Sequence, residues 1–111
     1  MLYNRCAILI GMDEVEVARA LASGTRIGIL RWLRDPEANF QSRVEGDQTG
    51  DGVCVNLIAA KAGISQPSAS RHLSVLKDAG LVETRRVAQR NYHRRDEAGI
   101  DKAKQILAEG F

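Results

Sequence analysis

Apolar residues recur at helical spacing in five stretches of this 111-residue chain, and alternate as in strands over one stretch near the C-terminal end. The first stretch, Asp13 to Ala22, opens on acids, which favour a helix N-terminus, and predicts a helix with Val17, Ala18 and Leu21 facing inward. Ser23-Gly24 interrupts the pattern, with Ser23 able to cap a second helix. Thr25 to Arg34 is apolar at Ile27, Ile29, Leu30, Trp32 and Leu33, in too many directions for a surface helix. It predicts a helix covered on most sides, with Trp32 in the core. From Asp35 to Gly52 the period disappears; Pro36, glycines and acids predict a loop insertion, longer than most connections. Val55 to Ala62 is a short helix closing at Gly63.

The next stretch, Ser65 to Gly80, organises the rest. Ser65 is placed to accept from a free first-turn amide, and Pro67 occupies a turn that needs no N–H there. Gly80 stands where a left-handed residue ends a helix. Ala69, Leu73 and Leu76 form the apolar stripe, with His72 on its border. The other side carries Gln66, Ser70, Arg71, Ser74 and Lys77, flanked by Ser68, with no acid before Asp78. An ordinary solvated helix presents such a face; so does a helix that enters a DNA groove, where small polar groups permit close approach and Arg or Gln reads base edges bidentately. Leu81 to Val87 and Arg90 to Arg95 predict two strands about Ala88-Gln89, holding Arg85, Arg86, Arg90, Arg94 and Arg95. Asp96 to Glu109 is the last helix, with Ile100, Ala103 and Leu107 on one side. Short helix, glycine turn, capped helix and basic hairpin together describe a winged helix-turn-helix. The predicted fold is mainly α with a small β-hairpin, in the order α-α-α-α-β-β-α.

The run Leu57 to Arg95 resembles the ArsR/SmtB family of bacterial winged-helix repressors. The likeness rests on Ile58-Ala59, Ala62 to Ser68, Ala69 to Leu73, Leu76 and Ala79 to Val82, with Ala20 to Ala22, Thr25 to Ile27 and Ile29-Leu30 matching the junction of the first two helices. It covers about residues 13 to 109, which read as one DNA-binding domain behind an N-terminal arm, residues 1–12. The resemblance implies a homodimer paired through the first and last helices, a near-palindromic double-stranded DNA operator, and release by a signal not yet identified. Gln66, Ser68, Ser70 and Arg71 would then read the major groove, Ser74 and Lys77 would hold phosphate, and Arg86, Gln89 and Arg90 at the wing would reach phosphate or the minor groove. Ser23-Gly24 stands where the family usually has Asp-Pro. Ala88 replaces a frequent glycine, which makes a primed two-residue turn less favoured.

Charge agrees with this placement. The net charge of +2 hides an asymmetry: residues 1–55 hold 6 Lys/Arg against 8 Asp/Glu, whereas residues 56–111 hold 10 against 6. The basic excess lies on the half bearing the groove helix and the hairpin. No segment is long enough to span a membrane, and Ala7 to Ile10 is too short for a signal peptide. Two distant cysteines do not make a disulfide framework, which points to a reducing cytoplasm. No phosphate-cradling loop, His-Glu metal motif or nucleophile with a base supports an enzyme, and no cofactor is implied. Metal-sensing members of the resembling family often begin the first helix of the helix-turn-helix with Cys-x-Cys; here Cys54 is followed by Val55 and Asn56. Cys54, alone or with Cys6, is therefore either a redox or metal effector site or a small buried apolar residue, two thiolates being a poor complement for zinc. The rival to DNA binding is a winged-helix protein-interaction module whose arginines meet an acidic partner.

Overall fold

A computed structural model describes residues 13–40, 48–49 and 52–109. The N-terminal arm with Cys6, and most of the insertion after Phe40, lie outside the described residues. Helix α1 is Glu14–Leu21, started by Asp13, whose carboxylate accepts from Val15 N at 2.8 Å. Helix α2 is Gly24–Arg34, one residue longer than its pattern, because Ser23 Oγ accepts from Arg26 N at 3.2 Å. The aperiodic stretch is not all loop. Asp35 caps a single turn, α3 (Pro36–Asn39), and two short strands come after it, β1 (Gln48–Thr49) and β2 (Gly52–Cys54). Helices α4 (Val55–Ala62) and α5 (Gln66–Asp78), strands β3 (Val82–Val87) and β4 (Arg90–Arg95), and helix α6 (Glu97–Glu109) complete the described chain.

The strands form one antiparallel sheet in the order β1-β2-β4-β3. The wing is thus more than the expected hairpin, and β2 pairs Val53 with His93 and Cys54 with Tyr92. A three-residue strand carries no period of its own; its partner β4 supplies the order. The core lies between α1, α2, α4, α5 and the base of the sheet: Val17, Ile29, Ile58, Leu76, Leu81 and Val53 are fully enclosed. One expectation about faces needs correction: Ala18 is exposed, while Ala20 takes the buried position beside Val17. On α6 Ile100 and Ala103 are buried, and Leu107 is 38% exposed in the single chain. Trp32 is half-buried against the core, with Lys61 Nζ 5.7 Å from its ring centre.

The hairpin turn also departs from expectation. Val87 pairs with Arg90, so Ala88 and Gln89 alone make the turn, and their φ values are +49° and +72°. Both positive angles are what a type I′ turn requires, since that turn matches the twist of the strands. Strand register therefore overrides the local preference of two side chains that disfavour this region. Replacing Ala88-Gln89 by Asn-Gly is expected to stabilise the protein by about 1 kcal/mol, measured by urea unfolding at one protein concentration. No gain would mean that the turn is relaxed as it stands.

Candidate nucleic-acid interface

Two glycines in the left-handed region set the bounds of α4 and α5. Gly63, with φ of +70°, ends α4, and Ile64 N donates back to Ala59 O at 3.1 Å. Gly80, with φ of +79°, ends α5, where Gly80 N donates to Lys77 O and Leu81 N to Leu76 O, both at 2.9 Å. This pair of bonds is a Schellman closure. At the other end Ser65 Oγ accepts from Ser68 N at 3.2 Å. Ala69, Leu73 and Leu76 are buried beneath the helix.

Gln66, Ser70, Arg71, Ser74 and Lys77 are exposed along one side of α5. Ser68 is half-buried; its Oγ accepts from Ser65 Oγ at 3.1 Å and from an Arg71 guanidinium N–H at 3.3 Å. That contact steadies the Arg71 stem near the helix N-terminus. Arg86, Gln89 and Arg90 are exposed on the wing. The remaining wing arginines differ in use. Arg94 pairs with Glu83 across the hairpin. Arg95 makes two bonds to Glu97, at 2.9 and 3.1 Å, and reaches Leu30 O at 3.4 Å, tying the sheet to α6 and α2.

Helix and wing are joined by a cleft that the linear pattern did not disclose. Ser70, Ser74 and Lys77 form one wall, Thr84, Asn91 and His93 the other, with Leu73 and Val55 between them, around a volume of about 220 Å³. No carboxylate lines it. His93 is only 8% exposed; its Nδ1 is hydrogen-bonded to Thr84 Oγ1 at 3.0 Å. Burial, reinforced by the positive charge of Lys77, pushes its pKa down to about 4, so the ring is neutral near pH 7. Thr84 and His93 are cross-strand partners, a relation that follows from the strand register once the turn is fixed. His72 has a different environment. Its Nδ1 lies 3.0 Å from Arg26 Nη1, and its pKa is lowered by burial and then by Arg26 and Arg71.

Cys54 is 5% exposed, in β2 at the start of α4, and borders a second cleft of about 250 Å³ with Asn56, Gln89, Arg90 and Asn91. Among the described residues no three His, Cys, Asp or Glu side chains come together as a metal site would require. None of the described helices is long and apolar enough to cross a membrane.

Residues 51–84, which contain the helix-turn-helix, match the family model described as bacterial regulatory protein, arsR family. YbzH of Bacillus subtilis (strain 168), an uncharacterized HTH-type transcriptional regulator, is 36% identical over 96 residues, or 86% of this chain and 96% of its own length. The chain belongs to the ArsR family. Its fold is shared with the homodimeric winged helix-turn-helix DNA-binding domain of a possible ArsR-family regulator from Mycobacterium bovis, at a TM-score of 0.62 and 31% identity over 94% of this chain and 82% of that one. A shorter likeness, 42% over 53 residues, relates this ArsR-family chain to the biofilm growth-associated repressor of Agrobacterium fabrum, covering 48% of the one and 43% of the other. The ArsR-family chain is a winged helix-turn-helix DNA-binding transcriptional regulator.

Proposed function

We propose that this regulator is a homodimeric repressor that reads a near-palindromic operator with α5 and grips the backbone with its wing. The observation that carries this reading is the exposed side of α5. Gln66, Ser70 and Arg71 stand there with Ser74 and Lys77, without a carboxylate before Asp78, next to a wing that exposes Arg86, Gln89 and Arg90. In the complex Gln66, Ser68, Ser70 and Arg71 meet base edges, Ser74 and Lys77 meet phosphate, and the wing residues reach phosphate or the adjacent minor groove. Thr84 and Asn91, on the opposite wall of the cleft, face the same strand of backbone as Ser74 and Lys77.

Dimerisation is supported by apolar side chains that the single chain leaves uncovered. Val15 of α1 is 61% exposed and Leu107 of α6 is 38% exposed, on two helices that pack beside each other. A second copy would cover them and set two α5 helices about one DNA turn apart. The homodimeric relative and the relative named as a repressor support the same assembly and the same action. Release by a thiol signal at Cys54 would require local opening of β2, because its side chain is enclosed.

The test is selection of duplexes from a random pool, with fluorescence anisotropy then measured on the selected sequence. A two-fold symmetric sequence is expected, with log affinity falling linearly in log salt. Arg71→Ala should weaken specific binding by about 1–3 kcal/mol if it holds a base bidentately. Lys77→Ala should reduce the salt slope by about one. Failure to select any sequence would return the chain to the rival role of a protein-interaction module.

A further inference from the structure

Arg26 uses three faces of its guanidinium on three separate partners. Nε donates to Ala20 O at 2.8 Å and Nη2 to Arg19 O at 2.9 Å, two carbonyls of the last turn of α1, the second of which also accepts from Ala22 N at 3.2 Å. Nη1 donates to His72 Nδ1 at 3.0 Å, forty-six positions along the chain and on the groove helix, one residue after Arg71. Arginine has no acceptor, so this bond exists only when His72 Nδ1 offers its lone pair and the ring is neutral. Both side chains are half-buried, where a charge-assisted hydrogen bond is worth more than on an open surface.

We propose that Arg26 and His72 are positioning residues that fix the orientation of α5 against the end of α1. The proposal rests on the DNA-reading role of α5. Apolar contacts beneath α5 hold it down but allow small rotations about its axis and slides along it. A directional bond from a planar guanidinium, itself pinned by two carbonyls, removes that freedom next to Arg71. Because α1 also bears the uncovered Val15, the bond links the surface offered to a second copy with the side chains offered to DNA. Each groove helix is thereby held relative to the two-fold axis of the dimer.

The bond is also conditional on protonation. A proton on His72 Nδ1 replaces an acceptor by a second cation against Arg26, with Arg71 of the same helix adding to the repulsion. On α1 the neighbouring charges are Arg19 and Glu16, which pair with each other at 3.1 Å. Among the described residues no carboxylate pairs with His72, so acidification opens the link.

Two variants and two measurements test this. His72→Asn keeps an acceptor near the position of Nδ1, and His72→Leu removes it at similar bulk. On the operator obtained by selection, His72→Leu should lower the ratio of specific to random-duplex affinity about tenfold, with random-duplex affinity unchanged. His72→Asn should keep the ratio within about twofold, less than the loss of one hydrogen bond. In the free protein, backbone amide shifts of Ala20 to Ala22 should titrate with His72, with a midpoint below 6.5, and should lose that titration in His72→Asn. An unchanged ratio in His72→Leu, a ratio lost equally in both variants, or silent α1 amides would each overturn the proposal. If the wild-type chain selects no sequence, the reading of α5 as a groove helix fails, and the amide titration still decides whether the link to α1 exists.

Discussion

Alanine at position 99 is expected to destabilise the protein by about 3 kcal/mol, lowering its melting temperature by on the order of 15 °C in a scan at fixed protein concentration. Gly99 sits in the first turn of α6, where Asp96 caps its amide at 3.0 Å and Asp96 N donates to Leu81 O at 3.0 Å. That turn is pressed against the closure of α5. A methyl group on residue 99 would fall on the carbonyl oxygen of Gly80, which is backbone and cannot swing aside. Helix propensity pulls the other way, since alanine is better than glycine inside a helix by up to about 1 kcal/mol. The clash wins because relief requires α6 to lift away from α5, uncovering Ile100 and Ala103. Function is expected to change too: α6 bears Leu107 and lies beside α1, so lifting it disturbs the face proposed above to meet a second copy. A Gly99→Ala variant more stable than the wild type would show that propensity decides and that the two turns have slack.

The capped helices were legible in the sequence because capping is local chemistry. Ser65, Pro67 and Gly80 announce α5, and Gly63 ends α4, without reference to anything distant. The polar side of α5 was legible for the same reason: helical period alone separates Gln66, Ser70, Arg71, Ser74 and Lys77 from Ala69, Leu73 and Leu76. The features that the pattern hid depend on partners far along the chain. Strand β2 exists because β4 offers Tyr92 and His93 to pair with it. The turn at Ala88-Gln89 adopts positive φ because the strands on either side demand it. On α1, hydrophobicity could not tell Ala18 from Ala20, and only packing puts the second of them in the core. Arg26 reads as one more surface cation until the fold brings the end of α1 and His72 to it. The cleft wall of Thr84, Asn91 and His93 was hidden likewise, since it needs the wing folded back over α5. Asp35-Pro36 is the exception. A capping acid next to proline is a readable helix start, and absence of an apolar period alone made the single turn after it look like loop.

Stability is expected to fall by about 3 kcal/mol on account of His93 alone as pH drops from 7 toward 4. The ring is enclosed between β2, β3 and the groove helix, and its pKa in the folded chain is about 4 against 6.5 for an open histidine. Between those values the unfolded chain holds a proton that the folded chain does not. Stability therefore rises with pH through this window and is lost as pH falls through it, the sign opposite to that of a histidine paired with a carboxylate. The chain holds other ionisable residues, so the contribution is isolated by difference. His93→Gln removes the titrating ring while keeping a hydrogen-bonding group near Thr84, and leaves every other ionisable residue in place. Relative to the wild type, this variant is expected to gain about 3 kcal/mol between pH 7 and pH 4 in urea unfolding monitored by circular dichroism. The ring proton shift of His93 should give a midpoint near 4 over the same range. Parallel pH profiles for the two proteins would mean that His93 takes up its proton without disturbing the fold. Since His93 joins Thr84 across the hairpin and faces Ser74 and Lys77 over the cleft, the group that resists protonation is one that ties the two strands of the wing together beside α5. Acid is thus expected to loosen the hairpin of β3 and β4 before it unfolds α1 and α2, whose enclosed side chains carry no titrating group of this kind.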